Sequence, residues 1–160
     1  MDYFQQLLSQ SPQSNSGLVV TIFKQNITAS LLALFGGIIL GILPVIIVAS
    51  NGLLIGYVIH YLIVILPESV GVKILILAAT LLPHGIFELP IVLLSAALGM
   101  QWGIAWLLPS AKGQRKAAWK KHAQEAFAFI PLLIIVLAVA AFIEVNVSAR
   151  LAGVLLAARN

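Results

Sequence analysis

The fold is decided by residues 25–67, which read QNITASLLALFGGIILGILPVIIVASNGLLIGYVIHYLIVILP and contain no Asp, Glu, Lys or Arg. A helical residue advances about 1.5 Å, and the hydrocarbon core of a bilayer is about 30 Å thick. The stretch is therefore long enough to cross a membrane twice. Its one turn-like break is Ser50-Asn51-Gly52, so we expect an antiparallel pair of spans over residues 27–50 and 53–66.

Composition supports a membrane protein throughout. The chain is 61% hydrophobic and only 9% charged, whereas about a quarter of the residues of a soluble domain are charged. It has no cysteine, which excludes a disulfide framework and a thiolate metal site. The net charge of +4 would fit nucleic-acid binding in a soluble protein. Here, however, five of the nine basic residues fall in one segment between apolar runs: Lys112, Arg115, Lys116, Lys120 and Lys121.

That basic segment predicts the sidedness of the chain. Clustered Lys and Arg between apolar runs are typical of a cytoplasmic loop. We therefore expect residues 110–125 to form a basic cytoplasmic loop, largely a short amphipathic helix, of a multi-pass plasma-membrane protein without a nucleic-acid partner. Residues 1–24 are expected to form an N-terminal tail or interfacial segment. The whole chain, 1–160, then forms a single transmembrane domain.

The apolar run over residues 72–108 resists a simple interpretation. As one straight helix it would be about 55 Å long, too long for one crossing. Its middle reads LPHGIFELP over residues 82–90, and each proline would leave a carbonyl without its amide partner. Such groups need partners in protein or trapped water. We therefore predict a broken or re-entrant helix here, within an all-α polytopic transmembrane helical bundle of four to five spans that ends with residues 126–147.

The number of spans determines where the N-terminus lies. With the basic segment inside, five spans place the N-terminus inside and four place it outside. We favour five, because an outside N-terminus would require translocation of a tail without a signal. Trp102 and Trp106 lie four residues apart and suit a membrane–water interface.

Three pairs of glycines are spaced four residues apart, which lets helix backbones approach closely in lipid. They are Gly37 and Gly41, Gly52 and Gly56, and Gly99 and Gly103. The simplest interpretation is helix packing within one chain, and the alternative is a homo-oligomer.

His84 and Glu88 are the sharpest functional signal, because they share a helical face inside an apolar run. An acid within a membrane span is a candidate functional residue. Three interpretations stay open. The pair could lock the broken helix together with Asn26, Asn51 and His60, or form a proton or ion relay with Glu144. It could also bind a metal of unknown identity, for which the available donors are His60, His84, Glu88 and Glu144.

Catalysis has little support in the sequence. There is no cysteine, no His-Glu-x-x-His, no Gly-x-Ser-x-Gly and no phosphate-binding glycine loop. We therefore expect no catalytic residue and no cofactor.

Several short motifs occur in a characteristic order: Phe23-x-x-Asn26, Gly41, Asn51-Gly52-x-x-x-Gly56 and Pro83-His84-Gly85-x-x-Glu88. This arrangement resembles the stage II sporulation protein M family, over roughly residues 22–148. The resemblance implies an all-α polytopic fold. The family's named member works in sporulation with a peptidoglycan-degrading partner and a second membrane protein, as a membrane scaffold. Family members also occur in organisms that do not sporulate.

The resemblance leads us to expect a non-catalytic membrane scaffold or assembly protein of the cell envelope. Its partners would be the lipid bilayer and other membrane or envelope proteins. The alternative is a small transporter, channel or lipid-handling protein in which His84 and Glu88 line a polar path.

Overall fold

The computed structural model describes residues 15–65, 67, 69–105 and 114–157, with side chains described for all of these except residues 15, 79, 80, 82–84 and 147–157. These residues form four long helices: α1 (Asn15–Gly36), α2 (Ile42–His60, continued by a π-helical turn, Tyr61–Ile65), α3 (Val70–Ile104) and α4 (Gln114–Ala157). Each contains a stretch long and apolar enough to cross a membrane: Ser16–Gly36, Ile42–Ile65, Gly85–Ile104 and Gln114–Asn146. The predicted all-α polytopic bundle is confirmed.

The helices pack as one bundle in which α1, α3 and α4 all contact each other, while α2 packs on α1 and α3. Two apolar clusters fill the interior. One joins Ile91 of α3 to Leu133 and Leu137 of α4, with Phe23 and Ile27 of α1 packed against it. The other lies nearer the start of α4 and contains Leu34, Trp102, Ala123 and Ala126. Trp102 is thus buried inside the bundle, so its ring packs against protein and not against lipid headgroups; Trp106 lies outside the described residues.

The turn between the first two spans is not where the sequence led us to expect it. α2 is helical straight through Ser50-Asn51-Gly52, and the chain reverses over residues 37–41 instead. Gly41 adopts the left-handed conformation, with φ of 73°, and Leu40 precedes it with φ of 55°. Glycine takes this conformation without steric cost. Pro44 then falls in the first turn of α2, where a missing amide hydrogen breaks no helical bond.

The ends of two predicted segments also change. α1 begins at Asn15, so residues 15–24 of the predicted tail belong to a candidate span, and residues 1–14 lie outside the described part of the chain. The basic segment from Gln114 onward is the start of α4 rather than a separate short helix. Its charged turns therefore continue without a break into the last span.

The broken or re-entrant helix predicted at the Pro-His-Gly-x-x-Glu motif is also a wrong prediction. α3 remains helical through Pro83 and Pro90 over all 35 of its residues. Each proline removes a single bond of the helical ladder, and membrane helices tolerate this where neighbouring groups compensate. Ser69 caps the start, because its hydroxyl accepts from the Val72 amide. At about 52 Å, α3 exceeds the hydrocarbon core and must tilt or extend past it.

One long α3 gives four spans rather than the five we favoured. The described helices place the 37–41 turn and the start of α4 at the same end of the bundle, since the ring of Phe35 of α1 contacts Trp102 edge-on and Phe127 at a tilt. α1 and α3 therefore run in the same direction, and α2 and α4 in the opposite direction.

Glycines allow the closest approach in the bundle. A methyl group added at Gly99 would overlap the carbonyl oxygens of Ala33 and Leu34, and one added at Gly103 would overlap the carbonyl oxygen of Gly37. The pairs Gly37/Gly41 and Gly99/Gly103 thus pack on each other within one chain. By contrast, a methyl group at Gly52 or Gly56 would meet no atom within 4 Å among the described residues.

Candidate functional site

Glu88 is the most deeply buried ionisable side chain that the structure describes, with 1% of its surface exposed. It lies on α3 at the head of a buried face that continues through Ile91, Val92, Ser95 and Gly99. This spacing of three or four residues keeps all of them on one side of the helix. The same side carries the glycines that meet α1 and the isoleucine that meets α4. The carboxyl group of Glu88 is therefore inside the bundle and is withdrawn from lipid.

The surroundings of Glu88 are mostly apolar. The cluster of Ile91, Leu133 and Leu137 lies one helical turn away, covered by Phe23 and Ile27 of α1. Two further polar side chains are fully buried: Ser95, whose hydroxyl donates to the Ile91 carbonyl at 2.8 Å, and Ser30 of α1. The Ser30 hydroxyl has no hydrogen-bond partner among the described residues. A carboxyl group in such a place is tolerable only where protein encloses it, because exposure of a charged acid to hydrocarbon costs about 2.5–3.5 kcal/mol.

The structure does not gather all the predicted polar partners around Glu88. Asn51 of α2 donates its side-chain amide to the Ile47 carbonyl of the same helix, at 2.9 Å. His60 is exposed at the end of α2, while Asn26 and Glu144 are half-buried on α1 and α4. The side chains of Pro83 and His84 lie outside the described set, and the backbone there is helical, as it is at Gly85. Among the described residues, no three His, Asp or Glu side chains come close enough to hold a metal.

A second group of residues lies at the basic end of the bundle, and of its members the sequence pattern pointed only to Trp102. Trp102 of α3 contacts Trp119 of α4 with ring centroids 5.4 Å apart, and both Phe35 and Phe127 lie about 6 Å from Trp102. Trp119, Ala123 and Ala126 recur at a helical spacing, which could have indicated that this face of α4 is buried. On its other side, the His122 ring nitrogen Nδ1 lies 2.9 Å from Glu125 Oε2.

The Lys121 ammonium adds a weak contact to the same carboxylate, at 3.8 Å. Both side chains of that pair are largely exposed, so the ion pair contributes little to stability. The remaining cations, Arg115, Lys116 and Lys120, are exposed on the first turns of α4. This end of the bundle therefore combines a rigid aromatic interior with a positively charged exterior.

Two shallow clefts on the outside of the bundle have apolar linings. One lies between α2 and α3 and includes Pro44, Ala49 and Leu93; the other lies between α3 and α4 and includes Gln101 and His122. Neither is lined by Glu88. The described clefts thus face outward, and the buried acid belongs to the packed interior.

Comparison with known proteins agrees with this architecture. An uncharacterized protein of Methanocaldococcus jannaschii is 27% identical over 145 residues, which is 89% of this chain and 61% of the relative. This chain therefore spans about three fifths of that relative's length. No solved structure matches the present chain. The sequence pattern of stage II sporulation protein M matches residues 1–149, nearly the whole of α1 to α4, and the chain belongs to the stage II sporulation protein M family.

Proposed function

We propose that this protein is a non-catalytic scaffold of the plasma membrane that holds membrane or envelope proteins, including peptidoglycan-remodelling enzymes, in place. The observation that carries the proposal is the burial of Glu88, at 1% exposure, in a packed and largely apolar interior. An acid that served a transport path would need water or a polar channel beside it. The two outward clefts described above are apolar instead.

The buried acid gives a scaffold one defined arrangement of helices. A carboxyl group on an isolated α3 would face lipid, and it is withdrawn from lipid only when α1 and α4 pack around it. Polar contacts between membrane helices contribute about 0.6 kcal/mol on average and up to about 1.7 kcal/mol. Their larger effect is on specificity, because any packing that turns Glu88 outward is penalised. A scaffold needs this property, since its partners must find the same outer surface every time.

The surface that we propose for partners is the outer face of α2. Within the described part of the chain, this helix contacts α1 and α3 but not α4, and it exposes Leu53 by 76% and Leu54 by 65%. Gly52 and Gly56 lie beside them with open space around each. Small residues spaced four apart allow another membrane helix to approach closely. A partner helix, or α2 of a second copy, would fit there.

Sidedness follows from the four spans. With the basic turns of α4 in the cytoplasm, as the positive-inside rule favours, the 37–41 turn is also cytoplasmic. The start of α1 and the end of α4 then lie outside.

A transporter, channel or lipid-handling protein is the second candidate. One observation favours it: two acids, Glu88 and the half-buried Glu144, lie within candidate spans, and such residues often mark ion pathways. His84, one turn before Glu88, would belong to the same path.

One set of variants separates the two functions. Glu88→Ala is expected to lower the melting temperature in detergent and to reduce cross-linking to peptidoglycan-remodelling enzymes in the membrane, both together, while Glu88→Gln largely preserves both. Glu125→Gln, which alters a partly exposed acid at the start of α4, away from the interior cluster, serves as the matched control. Proteoliposomes are assayed in parallel for flux of protons, common ions and labelled lipids. Flux that Glu88→Gln abolishes at an unchanged melting temperature would establish the transporter and overturn the scaffold.

A further inference from the structure

The outer surface of α3 carries two clefts that meet. The cleft towards α4 has a volume of about 360 Å³ and is lined by Ala97, Met100, Gln101, Ile104 and His122. The cleft towards α2 has a volume of about 380 Å³, and Ala97 and Met100 line it as well. Because the two clefts share these walls, they form one branched apolar surface. Each volume falls within the range of about 300–1,000 Å³ that is usual for small-molecule sites.

One end of this branched cleft is polar. Gln101 is exposed near the end of α3, and His122 faces it from α4 with its Nδ1 held 2.9 Å from Glu125 Oε2. Arg115 precedes His122 by seven residues and so lies on the same face of α4, about 10 Å nearer its start. The cleft therefore has amide and imidazole groups at its mouth and a guanidinium beyond them.

The charge around the mouth is strongly positive. Residues 114–125 contain one acid, Glu125, and four exposed cations: Arg115, Lys116, Lys120 and Lys121. Cations at the cytoplasmic surface attract anionic lipids, by about 1 kcal/mol for each Lys or Arg. The two apolar clefts indicate that the ligand also has apolar chains, because a free phosphate would leave both clefts unfilled.

We propose that the branched cleft binds one anionic diacyl phospholipid. Its phosphate lies beside Gln101, His122 and Arg115, and its two acyl chains follow the clefts on either side of Met100. The aromatic packing of Trp102 against Trp119 on the inner side of α4 holds the two helices at the spacing that this requires. The site is separate from the buried acid and does not depend on the scaffold role.

Native mass spectrometry of the full chain in detergent tests the site with two lipids that share their acyl chains, phosphatidylglycerol and phosphatidylcholine. Phosphatidylglycerol is expected to bind more tightly. Arg115→Gln is expected to weaken phosphatidylglycerol binding about fivefold and phosphatidylcholine binding less, because the choline cation already offsets the phosphate charge that both lipids carry. The matched control is Lys120→Gln, which removes the same charge from the opposite face of α4 and should leave the preference intact. Ala97→Leu, which narrows both clefts at an exposed position, should weaken both lipids.

Several results would overturn the proposal. Equal binding of the two lipids would show that the cleft does not recognise an anionic headgroup. An equal loss of phosphatidylglycerol binding in Lys120→Gln and Arg115→Gln would show that the lipid is held by diffuse electrostatic attraction and not at a defined site. Unchanged lipid binding in Ala97→Leu, with an unchanged melting temperature, would exclude the clefts as the place of the chains. Should Ala97→Leu fail to fold, Gln101→Leu provides the second test, because it removes the amide beside the phosphate and should weaken both lipids; unchanged binding of both would exclude the mouth of the cleft as the phosphate site. Displacement of phosphatidylglycerol by millimolar inorganic phosphate would indicate a simple anion site.

Discussion

Adding one methyl group at Gly99 should damage the bundle more than adding one anywhere on α2. The new Cβ would overlap the Ala33 carbonyl oxygen and lie 2.6 Å from that of Leu34, where ordinary contact begins at 3.4 Å. Both neighbours are backbone atoms of α1, so neither can rotate away. The helices α1 and α3 would have to separate by about 1 Å. This perturbation is small in volume but acts on the two rigid backbones that define the crossing.

The expected loss can be estimated from opposing effects. A separation of about 0.5–1 Å removes a quarter to a half of the van der Waals energy of each atomic contact along the crossing. Overpacking of this kind typically costs about 1–3 kcal/mol. Against this, alanine is more favourable than glycine in a helix by about 1 kcal/mol. Because both clashes are with backbone atoms, we take the upper part of the overpacking range, about 2–3 kcal/mol, so Gly99→Ala should lower the free energy of unfolding by about 1–2 kcal/mol. Gly56→Ala meets open space and should be neutral or up to about 1 kcal/mol more stable.

The two variants form a matched pair, because each adds the same methyl group to a helical glycine in a candidate span. Unfolding can be followed by tryptophan fluorescence during titration of mixed micelles with a denaturing detergent. The signal of Trp102 reports directly on the crossing, since this residue is 4% exposed and lies one turn beyond Gly99. If Gly99→Ala proved as stable as the parent protein or as Gly56→Ala, the close approach of α1 and α3 described here would be wrong.

Three further predictions concern the two ends of the bundle. Lys73→Met removes the 2.7 Å bond from the ammonium to the Ile63 carbonyl, so hydrogen exchange in the π-helical turn should rise while global stability changes by less than about 1 kcal/mol; unchanged exchange would show that the bond is not formed. Trp119→Leu breaks the contact with Trp102 and should lower stability by at least about 0.5–1.5 kcal/mol, with Trp119→Phe in between, and an equal loss in both variants would contradict a ring-specific contact. Because the chain contains no cysteine, Lys120→Cys offers a single thiol, and an impermeant maleimide should label it only in opened cells; labelling of intact cells would reverse the proposed sidedness.

The fold class could be predicted from the sequence because hydrocarbon imposes a simple requirement on composition. An uncharged run such as residues 25–67 has to be helical across a membrane, since every backbone group needs an internal partner. The position of the turn was harder. Ser50-Asn51-Gly52 has typical turn residues, but Ser50 and Asn51 return their side-chain bonds to carbonyls of their own helix. Residues 37–41, with a glycine at each end, make the turn instead. Their apolar Ile-Ile-Leu centre looks like part of a span in the sequence.

At the prolines of α3, the sequence predicted a break where the structure has a continuous helix. Two prolines and a glycine around Glu88 suggested an interruption, yet a proline removes one bond from a ladder that the other residues of α3 maintain. Residue propensities give the free-energy cost of a helix through Pro83 or Pro90, but they do not include the stabilisation from tertiary packing. Here that packing comes from Ile91, Val92 and Ala96, each no more than 5% exposed.

The sequence could predict which residue forms the candidate site, but not where in the bundle that residue lies. The rarity of an acid within an apolar run singled out Glu88, and its burial agrees with that choice. The sequence could not say which helices enclose it, because this depends on the directions of α1 and α3 and therefore on the number of spans. Asn51 and His60 are also polar residues within an apolar run, yet Asn51 is partly buried along α2 and His60 is exposed at the end of that helix. The contact between Trp102 and Trp119 could not be predicted either, because predicting it requires knowing that α3 packs against α4.

The glycine crossing and the buried acid are parts of one arrangement. Glu88 and Gly99 are eleven residues apart on α3, which places them on the same face of the helix, about 16 Å from each other. At Gly99 the backbones of α1 and α3 touch, and the two helices run in the same direction from that point towards Glu88. A larger residue at the crossing would move α1 away along this whole length and open the packing of Phe23 and Ile27 on the cluster of Ile91, Leu133 and Leu137, one helical turn from the acid. The smallness of Gly99 and Gly103 therefore keeps lipid from Glu88, although neither glycine lies beside it.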